Sequence, residues 1–299
     1  MLRNLIIITA IISGLTFSTP SLAKWVPFEL SNGHIMIDVT IEGVPAKAML
    51  DSGANLNAIS QDFIDAHASH LKKSRTKVTV KGVSGREEFP IYKDVNVTMF
   101  GQDLELPEVA ALGLGIDLII GSGFFQGIIV QIDYPNNKIQ LAPKSSIDLK
   151  KHANVKMRQE RGSEMPAVEV ELNGKKTWLM LDTGNAGNLF LKRNFVIEND
   201  LLKSDTIETR VSGSVEVINT ESFIIETLKI GPYELEGVPA TIPEDGVATN
   251  LADSRGETKD FSRLRAKGVA TKGILGYDVL KHFIVTIDYE DFRAHLWAQ

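Results

Sequence analysis

The chain has 299 residues, 43% of them hydrophobic and 23% charged, which is ordinary for a globular protein and sufficient for two modest domains. The formal net charge is −6 and no basic block occurs, which argues against nucleic acid as the main partner. The sequence contains no cysteine, so a thiol enzyme, a lipoprotein anchored through cysteine and a cysteine-ligated zinc site are excluded.

Residues 1–23 have the features of a secretory signal peptide. Arg3 precedes an apolar run from Leu5 to Phe17, and small residues at Ser21 and Ala23 mark a cleavage point. The apolar run is shorter than the roughly 20 residues that a membrane span needs. We therefore expect cleavage after Ala23, no stable membrane insertion afterwards, and a periplasmic or secreted protein. An uncleaved anchor is the alternative.

An internal repeat runs through the rest of the chain. Its first part is Met-Leu-Asp-Ser-Gly at 49–53, which matches Met-Leu-Asp-Thr-Gly at 180–184. Two further matches lie downstream: Ile-Ile-Gly at 119–121 with Ile-Leu-Gly at 274–276, and Ile-Asp-Tyr at 132–134 with the same triplet at 287–289. The first match has an offset of 131 residues and the later two have an offset of 155. The second copy is therefore 24 residues longer.

The repeat predicts two similar units, residues 24–148 and 149–299, joined by a polar connector from 144 to 164. We assign most of the extra length in the second unit to the polar stretch 243–272. Short alternating or β-branched runs bounded by Gly, Pro or Asn predict a mainly β protein. Short helices are expected around residues 60–70 and 277–282.

Each unit also contains a predicted hairpin with glycine at its tip. In the first unit the tip is Val83-Ser84-Gly85, flanked by alternating residues that are typical of strands. In the second unit Val211-Ser212-Gly213 occupies a similar place after the Asp-Thr-Gly motif. The sequence thus predicts one hairpin in each half, downstream of each Asp.

The residues that could carry chemistry are Asp51 and Asp182, which stand at equivalent places after apolar strands. Two neighbouring carboxylates resist joint ionisation, so such a pair can share one proton. The hydroxyls that follow them, on Ser52 and Thr183, can hydrogen-bond across the two loops. Gly53 and Gly184 would let the backbone turn sharply beneath the carboxylates.

These motifs resemble those of the pepsin and retropepsin superfamily of aspartic peptidases, in a two-lobed bacterial form. The resemblance covers roughly residues 35–296. It implies an all-β fold of two similar, closed, barrel-like lobes with an active-site cleft between them. It also implies that Asp51 and Asp182 are the catalytic pair, that Gly121 and Gly276 pack behind it, and that residues 83–85 form a flap over the substrate.

The same resemblance implies an exported aspartic endopeptidase that hydrolyses a peptide or protein substrate. One ionised carboxylate takes a proton from a water molecule while its protonated partner donates to the peptide carbonyl. This chemistry needs no metal and no cofactor. A monomer could suffice, because one chain supplies both carboxylates.

The residues after the two glycines depart from the pepsin pattern, which has Ser or Thr there. Ala54 has no hydroxyl, and Asn185 carries an amide instead. Loss of a hydrogen-bond donor to the ionised form should raise the lower pKa of the pair. We therefore expect a pH optimum nearer about 5 than 2.

Three alternative functions or processing events remain, and two other candidate sites are rejected. A catalytically weak or inactive protein that binds peptides or acts as a scaffold is the main alternative, and a peptidase restricted to one partner is another. Self-cleavage in the stretch 253–272 is a further alternative. His67 and His70 lack the context of a zinc site. Asp133 and Asp288, in the repeated Ile-Asp-Tyr triplets, are interpreted as residues that end a strand and begin a turn.

Overall fold

The computed structural model describes residues 24–163, 165–203, 205–213, 215–251 and 267–298. The predicted signal peptide, residues 1–23, therefore lies outside the described residues. So does most of the stretch 253–272, where self-cleavage was considered.

The first half of the described chain is built mainly from strands. They are β1 (Val26–Pro27), β2 (Glu29–Ser31), β3 (His34–Ile41), β4 (Val44–Asp51), β5 (Ala58–Ser60), β6 (Lys72–Lys81), β7 (Arg86–Met99), β8 (Gln102–Leu112), β9 (Leu118–Gly121), β10 (Ile128–Asp133) and β11 (Lys138–Pro143). Helix α1 (Gln61–His67) follows β5, and short 3-10 helices span Ser122–Phe125 and Lys144–Ser146.

The second half repeats this order after helix α2 (Leu149–His152). Its strands are β12 (Met157–Gln159), β13 (Pro166–Leu172), β14 (Lys175–Leu181), β15 (Leu189–Leu191), β16 (Ile207–Ser212), β17 (Val217–Ile230), β18 (Tyr233–Pro243), β19 (Gly273–Leu275), β20 (Ile284–Asp288) and β21 (Arg293–Trp297). Helix α3 (Arg193–Glu198) follows β15, and helix α4 (Tyr277–Leu280) follows β19. The predicted polar connector, residues 144–164, thus contains a 3-10 helix, helix α2 and strand β12.

Each half closes six strands into a ring. In the first half the order is β3-β4-β9-β5-β8-β7, and a second pairing between β3 and β7 closes the ring. In the second half the order is β13-β14-β19-β15-β18-β17, closed by β13 and β17. We call these rings the N-lobe and the C-lobe. The predicted all-β fold with two similar barrel-like lobes is confirmed.

A third sheet combines strands from both halves. Its order is β1-β11-β10-β20-β21, and β10 pairs antiparallel with β20, so that Ile132 lies opposite Val285. We call this sheet the base of the molecule. Within it, backbone hydrogen bonds between β10 and β20 join the two halves. The division into residues 24–148 and 149–299 stays a prediction, because this sheet crosses it.

Alternation along the strands decides which side chains fill each lobe. In β4, Ala48 and Leu50 point into the main core and are no more than 2% exposed, whereas Met49 belongs to a separate cluster on the outer face of the ring. In β14, Leu179 and Leu181 point inward in the same way. Truncating a core leucine such as Leu50 to alanine would cost about 2–5 kcal/mol, because a cavity remains.

The repeated Ile-Asp-Tyr triplets end strands, as the sequence predicts. The Asp133 carboxylate accepts from the backbone N–H of Asn136 at 3.1 Å. The Asp288 carboxylate accepts from the N–H groups of Glu290 (3.1 Å) and Asp291 (3.0 Å). Both carboxylates cap turns at the ends of β10 and β20, at the base of the molecule.

Candidate active site

The two Asp-Ser/Thr-Gly motifs lie at the ends of equivalent strands. Asp51 is the last residue of β4, which runs parallel to β9 and places Asp51 beside Gly121. Asp182 follows β14 directly, and its N–H donates to the Leu275 carbonyl on β19 at 3.0 Å. Each Asp is therefore fixed between two central strands of its own lobe.

Reciprocal hydrogen bonds lock the two loops together. The Thr183 hydroxyl donates to the Leu50 carbonyl (2.8 Å) and accepts from the Ser52 N–H (3.0 Å). The Ser52 hydroxyl donates to the Leu181 carbonyl (2.8 Å) and accepts from the Thr183 N–H (2.9 Å). Both hydroxyls are buried. The structure thus contains the bonds across the loops that the sequence predicts.

Gly53 and Gly184 allow the two Asp side chains to approach the opposite loop. A Cβ atom on Gly53 would lie 2.4 Å from Cγ of Asp182, and one on Gly184 would lie 2.3 Å from Cγ of Asp51. Neither glycine has a positive φ angle. The backbone does turn here, with the N–H groups of Ala54 and Asn185 each 3.3 Å from the carbonyl oxygen of the Asp three residues earlier, but the turn itself does not demand glycine. Glycine is needed here because a carboxyl group occupies the space of a side chain.

The two carboxyl groups are hydrogen-bonded to each other. Burial raises the pKa of Asp51 above its usual range. Burial raises the pKa of Asp182 further, and the neighbouring charge of Asp51 adds to the increase. The pair therefore keeps one proton over a pH range in which two isolated carboxyls would both ionise.

Ala54 and Asn185 support the carboxylates through the backbone. Their N–H groups hydrogen-bond to Asp51 and Asp182, respectively, and lower the pKa of each carboxyl against the effect of burial. The Asn185 side chain points elsewhere: its amide donates to the Asn188 carbonyl (3.0 Å) and accepts from the Gly187 N–H (3.1 Å). Asn185 thus shapes its own loop.

Gly121 and Gly276 pack directly against these loops. A Cβ atom on Gly121 would lie 2.5 Å from the Leu56 carbonyl oxygen, and one on Gly276 would lie 2.5 Å from the side-chain amide of Asn185. The Gly121 N–H also donates to the side chain of Asn57 at 3.0 Å. Any larger residue at either position would displace an Asp-bearing loop.

Sequence reasoning missed the tyrosines behind the pair. Tyr289 is 1% exposed and its hydroxyl is hydrogen-bonded to the Ser52 side chain. Burial raises the pKa of Tyr289, and of Tyr134 from the equivalent triplet. The nearby charge of Asp182 adds to the increase in the pKa of both tyrosines. The repeated Ile-Asp-Tyr triplet was the available signal, but only its Asp was interpreted.

Two hairpins, one from each half of the chain, meet at their tips. Residues 82–85, which we call the N-lobe flap tip, join β6 to β7, and Gly85 there has a φ angle of +71°. Residues 213–216 join β16 to β17 in the C-lobe. The Ser84 hydroxyl at the N-lobe flap tip donates to the Glu216 carboxylate. The predicted hairpin therefore contacts its counterpart in the other half of the chain. Tyr92, the one tyrosine of β7, packs in the main core.

A segment of the C-lobe insertion also holds the N-lobe flap tip. The Asn250 N–H donates to the Val83 carbonyl at 2.7 Å, and the Asn250 side chain donates to the Gly82 carbonyl at 3.0 Å. The Ser84 hydroxyl contacts the Ala248 carbonyl oxygen at 3.0 Å. Residues 247–251 thus fasten this tip to the opposite lobe in the structure.

Within the described ranges, no group of three or more His, Cys, Asp or Glu residues is arranged to hold a metal ion. Among the helices of that part of the chain, none is long and apolar enough to cross a membrane.

Comparisons with known proteins agree with this geometry. A family model for aspartyl proteases matches residues 168–279, and one for gag-polyprotein putative aspartyl proteases matches residues 37–126. Each match includes one Asp-Ser/Thr-Gly motif. Among solved structures, an aspartic proteinase from Irpex lacteus superposes with a TM-score of 0.54 at 12% identity, covering 92% of this chain and 97% of that one. That likeness concerns the fold. No curated protein matches the chain. The two family matches and the shared fold place the chain in the pepsin/retropepsin-like superfamily of aspartic proteases.

Proposed function

We propose that the protein is an aspartic endopeptidase whose catalytic residues are Asp51 and Asp182. The observation that carries this proposal is the pair of carboxyl groups, hydrogen-bonded to each other and held by reciprocal bonds between Ser52 and Thr183. A pair that shares one proton supplies a general base and a general acid at the same time.

In the proposed reaction, a water molecule lies between the two carboxyls. The ionised carboxyl accepts a proton from the water, whose oxygen attacks the carbonyl carbon of the peptide bond. The protonated carboxyl donates to the carbonyl oxygen, and a tetrahedral intermediate forms. Its collapse breaks the C–N bond as a proton passes to the leaving amine. Neither a covalent intermediate nor a metal takes part.

The substrate of this reaction would lie extended beneath the two hairpins. An extended peptide can bind through its main chain as an added strand, which suits the flanking strands β6, β7, β16 and β17. Because the two hairpin tips contact each other, they must separate before a peptide can enter. We propose a monomer as the active form, since both carboxyls come from one chain.

The test is cleavage of a diverse peptide library by the purified protein between pH 3 and 8. Asp51→Asn and Asp182→Asn variants should each lose activity by about 10²- to 10⁴-fold. Asp38→Asn, which removes a carboxylate that is 89% exposed on the N-lobe surface, is the matched control and should retain full activity. The optimum should lie nearer about pH 5 than 2, because burial raises the pKa of both carboxyls.

Two outcomes would argue for other functions. Well-folded wild-type protein that cleaves nothing would favour a peptide-binding or scaffolding role. Capture of a single partner by the Asp51→Asn variant, with cleavage of that partner alone by the wild type, would indicate a peptidase restricted to one substrate.

We also propose that the protein is exported and that residues 1–23 are removed. The support is the sequence pattern of that segment. The intact mass of the protein recovered from a periplasmic or secreted fraction should correspond to a chain that begins at Lys24. A mass that includes Met1 in a membrane fraction would indicate an uncleaved anchor instead.

A further inference from the structure

The extra length of the second half lies in one connection. Strand β18 matches β8 residue for residue at an offset of 131, and β19 begins 155 residues after β9. The N-lobe joins its two strands through the five residues 113–117, whereas the C-lobe uses the 29 residues 244–272, a difference of 24. Because five residues are enough to close the N-lobe ring, closure of the C-lobe ring does not require the longer connection.

The first part of this connection packs on the C-lobe face that carries Asp182. Met180 lies two residues before Asp182, so the two side chains share one face of the chain. Met180 belongs to an apolar cluster on that face, against which Val247 and Leu251 pack. The buried members of this cluster are Met180, Phe190, Ile218 and Ile274. We call residues 247–251 the clasp.

The clasp also holds the N-lobe flap tip by hydrogen bonds. The Asn250 N–H donates to the Val83 carbonyl at 2.7 Å. The Asn250 side-chain amide donates to the carbonyls of Gly82 (3.0 Å) and Gly85. These bonds occupy three backbone acceptors at the tip. An extended peptide bound beneath a hairpin uses acceptors of this kind for its own N–H groups.

The flap tip and the clasp together cover the C-lobe surface beside Asp182. The Val83 side chain packs against the same apolar cluster as Val247 and Leu251. Side chains in such contact lie within about 4.5 Å of each other, which leaves no room for a peptide chain between them. A peptide that approaches Asp182 along this surface would therefore have to displace the clasp.

The connection is anchored to the C-lobe on both sides of the clasp. Before the clasp, the Arg193 guanidinium donates to the Pro243 carbonyl at 3.1 Å. After it, the Lys272 N–H donates to the Trp178 carbonyl at 2.8 Å. Both anchors join residues of the C-lobe to one another, whereas the clasp crosses to the N-lobe. Release of the clasp would therefore leave both anchors in place.

We propose that the clasp is an autoinhibitory segment, which occupies the C-lobe surface and the flap acceptors that a substrate needs and must be displaced before a substrate binds. This inference concerns the regulation of the proposed peptidase site and therefore rests on the proposed function. Only molecules with a released clasp bind substrate, so the apparent dissociation constant rises by the inverse of their fraction. The clasp should thus raise KM and leave kcat unchanged.

Weakening the clasp should lower KM. Asn250→Ala removes two side-chain hydrogen bonds to the flap tip, each of which changes an equilibrium constant by about 2- to 10-fold. Leu251→Ser removes apolar contact with the C-lobe cluster. On a peptide found in the library experiment, each variant should have a KM about 3- to 30-fold below that of the wild type, with kcat within a factor of about two. An unchanged or raised KM in both variants would overturn the proposal.

Asp245→Asn is the matched control. Asp245 lies in the same connection, two residues before the clasp, and its side chain is 91% exposed. This variant should keep the KM of the wild type. A KM lowered equally in the control would show that any change in the connection has this effect, and would argue against the clasp contacts as the cause.

A binding measurement does not depend on catalysis. The probe is a fluorescein-labelled peptide with the sequence of residues 244–251, titrated by fluorescence anisotropy. It should bind protein that combines Asp51→Asn with Asn250→Ala and Leu251→Ser about 3- to 30-fold more tightly than Asp51→Asn protein, because a weakened clasp competes less well for the surface. A probe with alanine in place of its Asn and Leu should lose this difference.

The outcomes separate this inference from the proposed function. Tighter binding of the probe to the combined variant, with no cleavage by wild-type or clasp-variant protein, supports the clasp and removes only the peptidase function. Cleavage by Asn250→Ala or Leu251→Ser protein where the wild type cleaves nothing supports both. Equal binding of the probe to the two proteins contradicts the clasp, whatever the activity of the wild type.

Discussion

Replacing Gly53 with alanine tests whether the Asp pair depends on the close approach of the two loops. In the structure the added methyl carbon would lie 2.4 Å from Cγ of Asp182 and 2.5 Å from both of its carboxyl oxygens. Ordinary van der Waals contact begins near 3.4 Å. The Asp182 carboxyl and the Gly53 loop must therefore separate by about 1 Å, in a site that is tightly packed.

The size of the effect follows from this displacement. A shift of about 1 Å in a catalytic group can lower the rate by about 10²-fold, because the reacting atoms lose alignment. Insertion of a methyl group into packed surroundings costs about 1–3 kcal/mol of stability. We therefore expect Gly53→Ala to fold and to lose about two orders of magnitude in kcat.

The assay measures kcat/KM on a peptide found in the library experiment, together with urea unfolding. Gly113→Ala is the matched control, because a Cβ atom there meets no atom within 4 Å and the residue has no positive φ angle. That variant should keep full activity and gain up to about 1 kcal/mol of stability. Full activity in Gly53→Ala would refute the argument that the glycine makes room for the carboxyl.

Three further changes test other features of the site. Asp182→Asn should stabilise the fold at pH 7 relative to its effect at pH 3. The unfolded chain releases the Asp182 proton near pH 3.8, whereas the buried carboxyl in the folded state keeps it to higher pH because its pKa is raised. The stability of the wild type therefore falls as pH rises above that value, and asparagine, which does not titrate, avoids this loss. An equal effect of the substitution at both pH values would contradict this reasoning. Asn250→Ala removes side-chain bonds to the N-lobe flap tip, and hydrogen exchange there should become faster; unchanged protection would show that this residue does not hold the tip. Tyr289→Phe removes the hydrogen bond to Ser52 and should lower kcat by about 2- to 10-fold with KM unchanged, while an equal change in KM would indicate a different role.

The repeat in the sequence predicts most of the fold because equivalent positions in the two halves form equivalent strands and turns. In each half an Asp stands at or just after the end of an apolar strand, and a glycine stands at or just after the end of the strand beside it. Together with the family resemblance, this repeat pairs Asp51 with Asp182. The same reasoning explains the turn-capping roles of Asp133 and Asp288, which the structure confirms.

Contacts between residues that differ in the two halves could not be predicted in this way. The Asn250 side chain reaches the flap tip across 168 residues of sequence, and nothing in the first half corresponds to it. The bond between Tyr289 and Ser52 likewise depends on the shared sheet at the base. The turn at Gly53 was predicted, but the close approach of the Asp182 carboxyl to this glycine was not, because a sequence indicates turns more readily than contacts between distant side chains.

In the sheet shared by the two halves, each half provides a strand edge to which the other half hydrogen-bonds. Strand β10 presents one edge to β11 and the opposite edge to β20. A fragment that ended after β11 would leave the second edge of β10 with unpaired backbone groups, which are prone to pair with another strand. A separately synthesised second half offers β20 to that edge. The same edge also offers a pairing site to a second copy of the first fragment, so fragment complementation and self-association would compete for one set of hydrogen bonds.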